Sequence, residues 1–259
     1  MTRIGILPAA ILAIAPMTVL CAGRETGIKV LNASEQSIQI EFVPQYLPAV
    51  TRQFNDKEFT RYDFAGSVPG VHHAGSPDLR FETLTFGFQS KEGNIVQVVS
   101  ADYEEIPNVL LEPIPSLHDQ DGMTVAKEYA MNNEKYAQNR FLPGTVAELL
   151  PVEQVRSMLI GNVRIHPLQY HPANKTLRKY TRIVVEVVYG SSAATRIQSN
   201  DDELFEGALI NFQQARQWRF ESPRQLNRTM GQPSVLNLGT WYRLSVAEEG
   251  IYVLDASWF

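Results

Sequence analysis

The sequence predicts a mainly β fold: an antiparallel β-sandwich or barrel-like domain with one or two short helices. Three observations carry this. Ile38, Ile40 and Phe42 alternate with Gln39 and Glu41, the period-2 pattern of a half-buried strand. Residues 183–189 place Ile183, Val185, Val187 and Tyr189 on one face and Val184, Glu186 and Val188 on the other, a run apolar on both faces and therefore central in a sheet. Only one segment shows a convincing helical period, and runs of strands with few helices point to packed sheets.

In chain order, residues 27–44 read as two strands and 58–64 as a third, with Phe59, Arg61 and Asp63 opposite Thr60, Tyr62 and Phe64. Residues 66–77 are dense in Gly, Pro, Ser and His and read as a loop. Residues 81–88 and 95–105 are expected to pair as a hairpin around Lys91-Glu92-Gly93-Asn94. Three prolines in 107–121 suggest an extended surface segment, and 125–136 a short helix with the sparse apolar positions Val125, Tyr129 and Tyr136. Residues 156–189 read as two strands joined by a Pro/Asn turn. Residues 203–218 are the strongest helix: Phe205, Ala208, Leu209, Phe212 and Arg216 form one stripe, and Asn200, Asp201 and Asp202 can cap its start. Residues 222–233 read as a polar linker, and 241–246 with 250–254 as a further strand pair.

The chain has 259 residues, enough for one large or two small domains, and at 44% apolar it can bury a core. The net charge of −5, with no basic run, argues against nucleic acid as a partner. Residues 1–23 read as a signal peptide: Arg3 begins it, Ile4 to Leu20 is apolar apart from Thr18, and Cys21-Ala22-Gly23 offers small residues for cleavage. The alternative is an anchor that is retained. After signal removal no stable membrane span is expected, and the product is placed in the periplasm, on the cell surface or outside the cell. Cys21 is the only cysteine. Without it the mature chain has neither a disulfide nor a thiol nucleophile.

Few residues suggest chemistry. His72 and His73 are adjacent on a loop and point apart, and His166 and His171 are separated by Pro167 rather than set at helical i, i+4 spacing for a metal. His118 stands alone. The carboxylate clusters Glu104-Glu105, Asp119/Asp121, Asp201-Asp202-Glu203 and Glu248-Glu249 lie at turns or at a helix start, where solvation or capping accounts for them; a carboxylate-dependent hydrolase is the least favoured reading. Asp119-Gln120-Asp121-Gly122 resembles the start of a calcium loop, but Ala130 stands at its twelfth position. No catalytic residue, metal or cofactor is expected.

An ordered set of short blocks carries more information. These are Gly75-Ser76-Pro77-Asp78-Leu79 (with Arg80 where a second proline is usual), Val109-Leu110-Leu111-Glu112-Pro113-Ile114-Pro115 and the YAQNRFLP stretch at 136–143. Pro167-Leu168-Gln169-Tyr170-His171-Pro172 and Leu177-Arg178-Lys179-Tyr180 complete the set. Over residues 75–190 it resembles the prodomain that precedes gingipain-type cysteine peptidases. Residues 239–246 and 250–255 are similar to the stretch following this region in larger relatives, which resemble the sortase-like peptidase of the type IX secretion system; in them the catalytic His and Cys lie far downstream.

The resemblance implies a non-catalytic N-terminal portion of an exported cysteine endopeptidase. Its role is expected to be folding assistance or latency, with a peptidase catalytic domain as partner, in a longer parent or in trans. In members specific for basic residues a basic loop side chain can occupy the specificity pocket. Arg140, before Phe141-Leu142-Pro143-Gly144, is the candidate by loop character; an ordinary solvated arginine is the alternative. The expected layout is a signal peptide at 1–23, the β domain at 24–190, a helix and linker at 191–235 and the start of another β module at 236–259. A truncated or split gene is one expectation for such a layout. A free-standing exported β-sandwich that binds a protein or ligand is the rival reading.

Overall fold

The computed structural model describes residues 27–54, 56–70, 74–119, 125–191 and 205–220. The expected signal segment, the caps at 200–202, His72, His73, Asp121, Glu203, Glu248, Glu249, the linker and the last strand pair lie outside these residues.

Strands β1 (Ile28–Ala33) and β2 (Ser37–Phe42) form the first hairpin, as their alternation predicts. Strand β13 (Thr176–Val188) is the spine of a five-stranded antiparallel sheet. One of its edges pairs with β2 and with β12 (Leu168–His171); the other pairs with β6 (Ile95–Ile106). A second sheet is built on β11 (Met158–Ile165). It pairs with β5 (Glu82–Phe88) on one side and with β9 (Ala147–Leu149) and β10 (Glu153–Val155) on the other. Ile38, Ile40, Phe42, Ile183, Val185 and Val187 of the first sheet share one core with Leu84, Phe86, Phe88, Val163 and Ile165 of the second. The sandwich expected from the sequence is therefore present.

Several local expectations are corrected. Residues 81–88 and 95–105 are strands but not a hairpin: β5 belongs to one sheet and β6 to the other. The turn chemistry is real, with Gly93 at φ +76° and the Asn94 side-chain amide donating to Ser90 O (2.8 Å), but it carries the chain from one sheet to the other. Such a turn specifies a local reversal; the partner is chosen by which apolar faces meet. Residues 156–189 contain three strands rather than two, because the chain leaves β11 at His166-Pro167 and starts β12 in the other sheet.

Within the expected surface segment at 107–121, residues 109–113 are not at the surface. Val109 and Leu111 are buried in a second core with Leu79, Tyr136, Leu168, Tyr170 and Leu177. Tyr170 donates its hydroxyl to Val109 O (2.8 Å) and Tyr136 to Leu111 O (2.7 Å), so the proline-rich strip is held by tyrosines from below. The expected helix at 125–136 is a strand followed by one helical turn. Strand β8 (Val125–Glu128) pairs with β7 (Ser116–Asp119), and α1 covers only Asn133–Tyr136, capped by the Asn132 side chain. Another hairpin, β3 (Val50–Phe54) with β4 (Lys57–Arg61), stacks its Phe54 on Tyr129 just beyond β8, with ring centroids 4.5 Å apart.

A chain of charges ties this end together. Arg61 and Arg80 both meet Asp63 (2.9 and 3.2 Å), Arg80 also meets Asp78 (3.2 Å), and Arg52 reaches the buried Glu112 (3.4 Å). Carboxylates this deep need such partners.

The expected helix at 203–218 is broken in its described part. A helical turn at Phe205 and Glu206 stops at Gly207, and α2 spans only Phe212–Ala215. Glycine mid-helix costs about 1 kcal/mol relative to alanine, and a stronger demand sits at Asn211. Its side chain accepts from Gly87 N (2.8 Å) and donates to Gly87 O (2.8 Å), and Ile210 N donates to Thr85 O (3.0 Å). The segment thus satisfies the free edge of β5 while Phe205, Leu209, Phe212, Ala215 and Trp218 join the main core.

Gly87 is required there, since a Cβ would lie 2.3 Å from the Ala215 Cβ. Gly87→Ala is expected to destabilise by about 1–3 kcal/mol through overpacking, read as a melting temperature lower by several degrees. Adding Ala215→Gly is expected to restore part of the loss, a coupling that a double-mutant cycle measures.

Buried tyrosines are expected to set the alkaline limit of stability. Burial pushes the Tyr170 hydroxyl from its ordinary 10.0 up to about 12, and burial likewise raises Tyr46, Tyr136 and Tyr189. A group whose folded pKa is raised contributes stability in full below its unfolded pKa and loses it as pH climbs through the folded value. Denaturation midpoints are therefore expected to hold up to about pH 9 and to fall steeply from about pH 10 to 12. Tyr170→Phe is expected to flatten that fall, as urea titrations across this range would show.

Candidate functional site

The loop that carries Arg140 runs from α1 to β9. It is fastened on both sides of that residue. Before it, Gln138 O accepts from Ala173 N (3.2 Å), in the β12–β13 turn. After it, Leu142 N donates to Tyr170 O and Tyr170 N to Leu142 O, both at 2.8 Å, an antiparallel bridge to β12. The Gln169 amide donates to Pro143 O (2.8 Å). β12 can do this because its second edge is open: β13 takes one edge and the loop takes the other.

Phe141 is held by its ring. The Arg178 guanidinium carbon lies 3.7 Å from the ring centroid, and the His171 ring meets it edge-on at 5.2 Å and 85°. Arg178 is itself fixed: its Nε donates to Glu105 Oε1 (2.9 Å) and the Tyr103 ring stands 5.0 Å from its guanidinium carbon. Cation–aromatic contacts of this kind contribute about 0.5–1 kcal/mol each where exposed. Between these anchors Asn139 and Arg140 are exposed. Arg140 forms no hydrogen bond or ion pair with the described residues.

The neighbouring surface has apolar character. Among the described residues β6 is an edge strand, paired with β13 alone, and it exposes Ile95, Val98, Val99 and Tyr103. Long edge strands with exposed apolar side chains are sites where another chain can pack. Tyr103 joins this strand to the Arg140 loop through Arg178.

The other residues weighed for chemistry have structural neighbours. His166 is buried, with Nε2 3.2 Å from Glu148 Oε1, and Arg164 meets the same oxygen at 3.1 Å. His171 accepts the Asn174 N–H (3.3 Å), and His118 lies 3.2 Å from Glu128 Oε2. Glu104 and Glu105 pair with Lys179 and Arg178, both at 2.9 Å. Among the described residues no group of three or more His, Cys, Asp or Glu converges as a metal site, and no helix is long and apolar enough to cross a membrane.

Sequence reasoning singled out Arg140 but not its supports. Phe141 is adjacent, but Arg178, His171 and Tyr170 come from the β12–β13 hairpin. Only the pairing of that hairpin reveals that they face the loop.

The comparisons with known proteins agree with this architecture. The chain is 28% identical over 168 residues to gingipain R1 of Porphyromonas gingivalis, covering 64% of this chain and 16% of the relative. It is 24% identical over 208 residues to gingipain R2 of the same species, covering 75% of this chain and 27% of the relative. The chain therefore spans well under a third of the length of these relatives. Among solved structures, a chain from a complex of the pro- and mature domains of Porphyromonas gingivalis RgpB shares the fold. That match has a TM-score of 0.64 and 23% identity, and it covers 74% of this chain and 99% of that one. A structure concerned with the zymogenic latency of gingipain K from the same organism gives a TM-score of 0.54 at 18% identity, covering 68% of this chain and 98% of that one. The Propeptide_C25 family model matches residues 20–219, most of the chain, and with that the chain belongs to the propeptide family of gingipain-type cysteine peptidases.

Proposed function

We propose that this chain is the prodomain portion of an exported gingipain-type cysteine endopeptidase and that it keeps a catalytic domain latent by presenting Arg140 to its cleft. The observation that carries the reading is the Arg140 loop: a rigidly anchored segment offering an exposed arginine without a partner among the described residues, on a chain of the propeptide family. A latency device needs a scaffold that does not yield and a side chain that the cleft accepts. The sandwich supplies the first and the loop the second.

The sequence has no cysteine after Cys21, so the nucleophile belongs to a separate catalytic domain, in a longer parent or in trans. Residues 1–23 act as the export signal in this reading, and residues 236–259 begin a further module. The same contact can assist folding, because a partner that binds only the native catalytic domain stabilises it by mass action.

Titrating mature arginine-specific gingipain with the purified chain tests the proposal. Activity is expected to fall towards zero near equimolar chain at micromolar concentration. Full activity in micromolar excess of chain would refute latency in trans for that peptidase.

A further inference from the structure

Resting on that reading, we propose that Phe141, held between Arg178 and His171, is a positioning residue that keeps the Arg140 loop an inhibitor rather than a substrate. An exposed arginine on a loose loop invites cleavage after it. What distinguishes this loop is the attachment of the residue on the leaving side of the Arg140–Phe141 bond.

The chemistry shows why that matters. The thiolate of a cysteine peptidase attacks the Arg140 carbonyl carbon; a C–S bond forms, the C–N bond to Phe141 breaks, and the Phe141 nitrogen takes a proton and becomes an amine. Water completes hydrolysis only once that amine has moved away. Here the Phe141 ring is stacked on Arg178 at 3.7 Å and abuts His171 at 5.2 Å, while Leu142 is bridged to Tyr170 by two 2.8 Å hydrogen bonds. The amine is therefore tethered beside the thioester. It attacks the thioester, reforms the C–N bond and releases the thiolate. A tethered nucleophile acts at an effective concentration far above that of a free one, so religation outruns hydrolysis. Arg178 is competent as the anchor because Glu105 fixes its Nε at 2.9 Å and Tyr103 packs 5.0 Å from its guanidinium carbon.

The test uses the full chain and its Phe141→Ala, Arg178→Ala, Phe141→Tyr and Arg140→Ala variants, with melting temperatures to establish folding. Each is incubated with mature arginine-specific gingipain. Inhibition is followed over hours, and mass spectrometry times the appearance of the fragment ending at Arg140. Phe141→Ala and Arg178→Ala are expected to inhibit transiently and to be cut after Arg140 at least about tenfold faster than the parent chain. Phe141→Tyr, which keeps the ring, is expected to behave as the parent. Lasting inhibition by Phe141→Ala with no fragment would overturn the positioning role, while loss of inhibition in Arg140→Ala alone would leave the latency reading standing. Equal inhibition by the parent and Arg140→Ala would sink both. Digestion with trypsin gives a readout that does not depend on inhibition of gingipain: equal rates of cleavage after Arg140 in parent and Phe141→Ala would also overturn the clamp.

Discussion

Arg140→Ala is expected to weaken inhibition of an arginine-specific gingipain by at least about 30-fold, because truncating one partner of a buried charge pair costs about 2 kcal/mol or more. The expectation follows from what Arg140 lacks in the free chain. It is exposed and has no carboxylate partner among the described residues, so its removal leaves the prodomain fold untouched. The whole effect falls on the complex. Arg140→Lys is expected to retain only part of the inhibition, since an ammonium cannot reproduce the planar, two-pronged contact of a guanidinium. Arg156→Ala, at another exposed arginine on the β10–β11 turn, serves as the control and is expected to leave inhibition unchanged. Inhibition constants for the four proteins check the set, and a drop for Arg156→Ala equal to that for Arg140→Ala would show a general charge effect.

The second large effect is on stability. Phe42 ends β2 fully buried, pairs in register with Ile183 of the central strand and meets the Phe64 ring edge-on at 6.1 Å. Phe42→Ala is expected to cost about 3–5 kcal/mol, the usual range for deleting a buried phenylalanine from a core that cannot close around the void. Urea unfolding of parent and variant measures it. A loss below 1 kcal/mol would mean that the two sheets do not meet tightly at this residue. Anchoring of the Arg140 loop depends on such packing, so Phe42→Ala is also expected to weaken inhibition at temperatures where the variant begins to unfold.

The strands of the central sheet were legible because their burial is periodic. In β2 every second residue is buried, and β13, whose apolar run pointed to a central strand, is paired on both edges, with β2 and β12 on one and β6 on the other. Pairing was less legible. Lys91-Glu92-Gly93-Asn94 has hairpin chemistry, yet β5 and β6 find partners in β11 and β13, more than 70 residues away along the chain. Nothing local encodes that choice. Residues 109–113 were not legible as core for a related reason: prolines suggest surface, but Val109 and Leu111 are buried against Tyr136 and Tyr170, whose hydroxyls bond the carbonyls of this strip. The stripe at 203–218 marked Phe205, Leu209 and Phe212, which are buried, but also Ala208 and Arg216, which are exposed, and it left out the buried Ala215 and Trp218, because Asn211 breaks the helical period to bond the edge of β5. At the candidate site the exposed arginine could be named from its loop. Its clamp could not, because Tyr103, His171 and Arg178 come from three other strands, β6, β12 and β13.

The proposed latency rests on Arg140 filling an arginine-accepting cleft. It is tested most directly by measuring binding of the chain to mature arginine-specific gingipain twice, once with the active site free and once with the catalytic cysteine blocked by an arginyl probe that occupies the specificity pocket. Binding to the blocked peptidase is expected to be weaker by at least about 30-fold, since the charge pair made by Arg140 is then unavailable. Equal affinity for the free and blocked forms would place the contact elsewhere on the peptidase and rule out Arg140 as the occupant of the cleft.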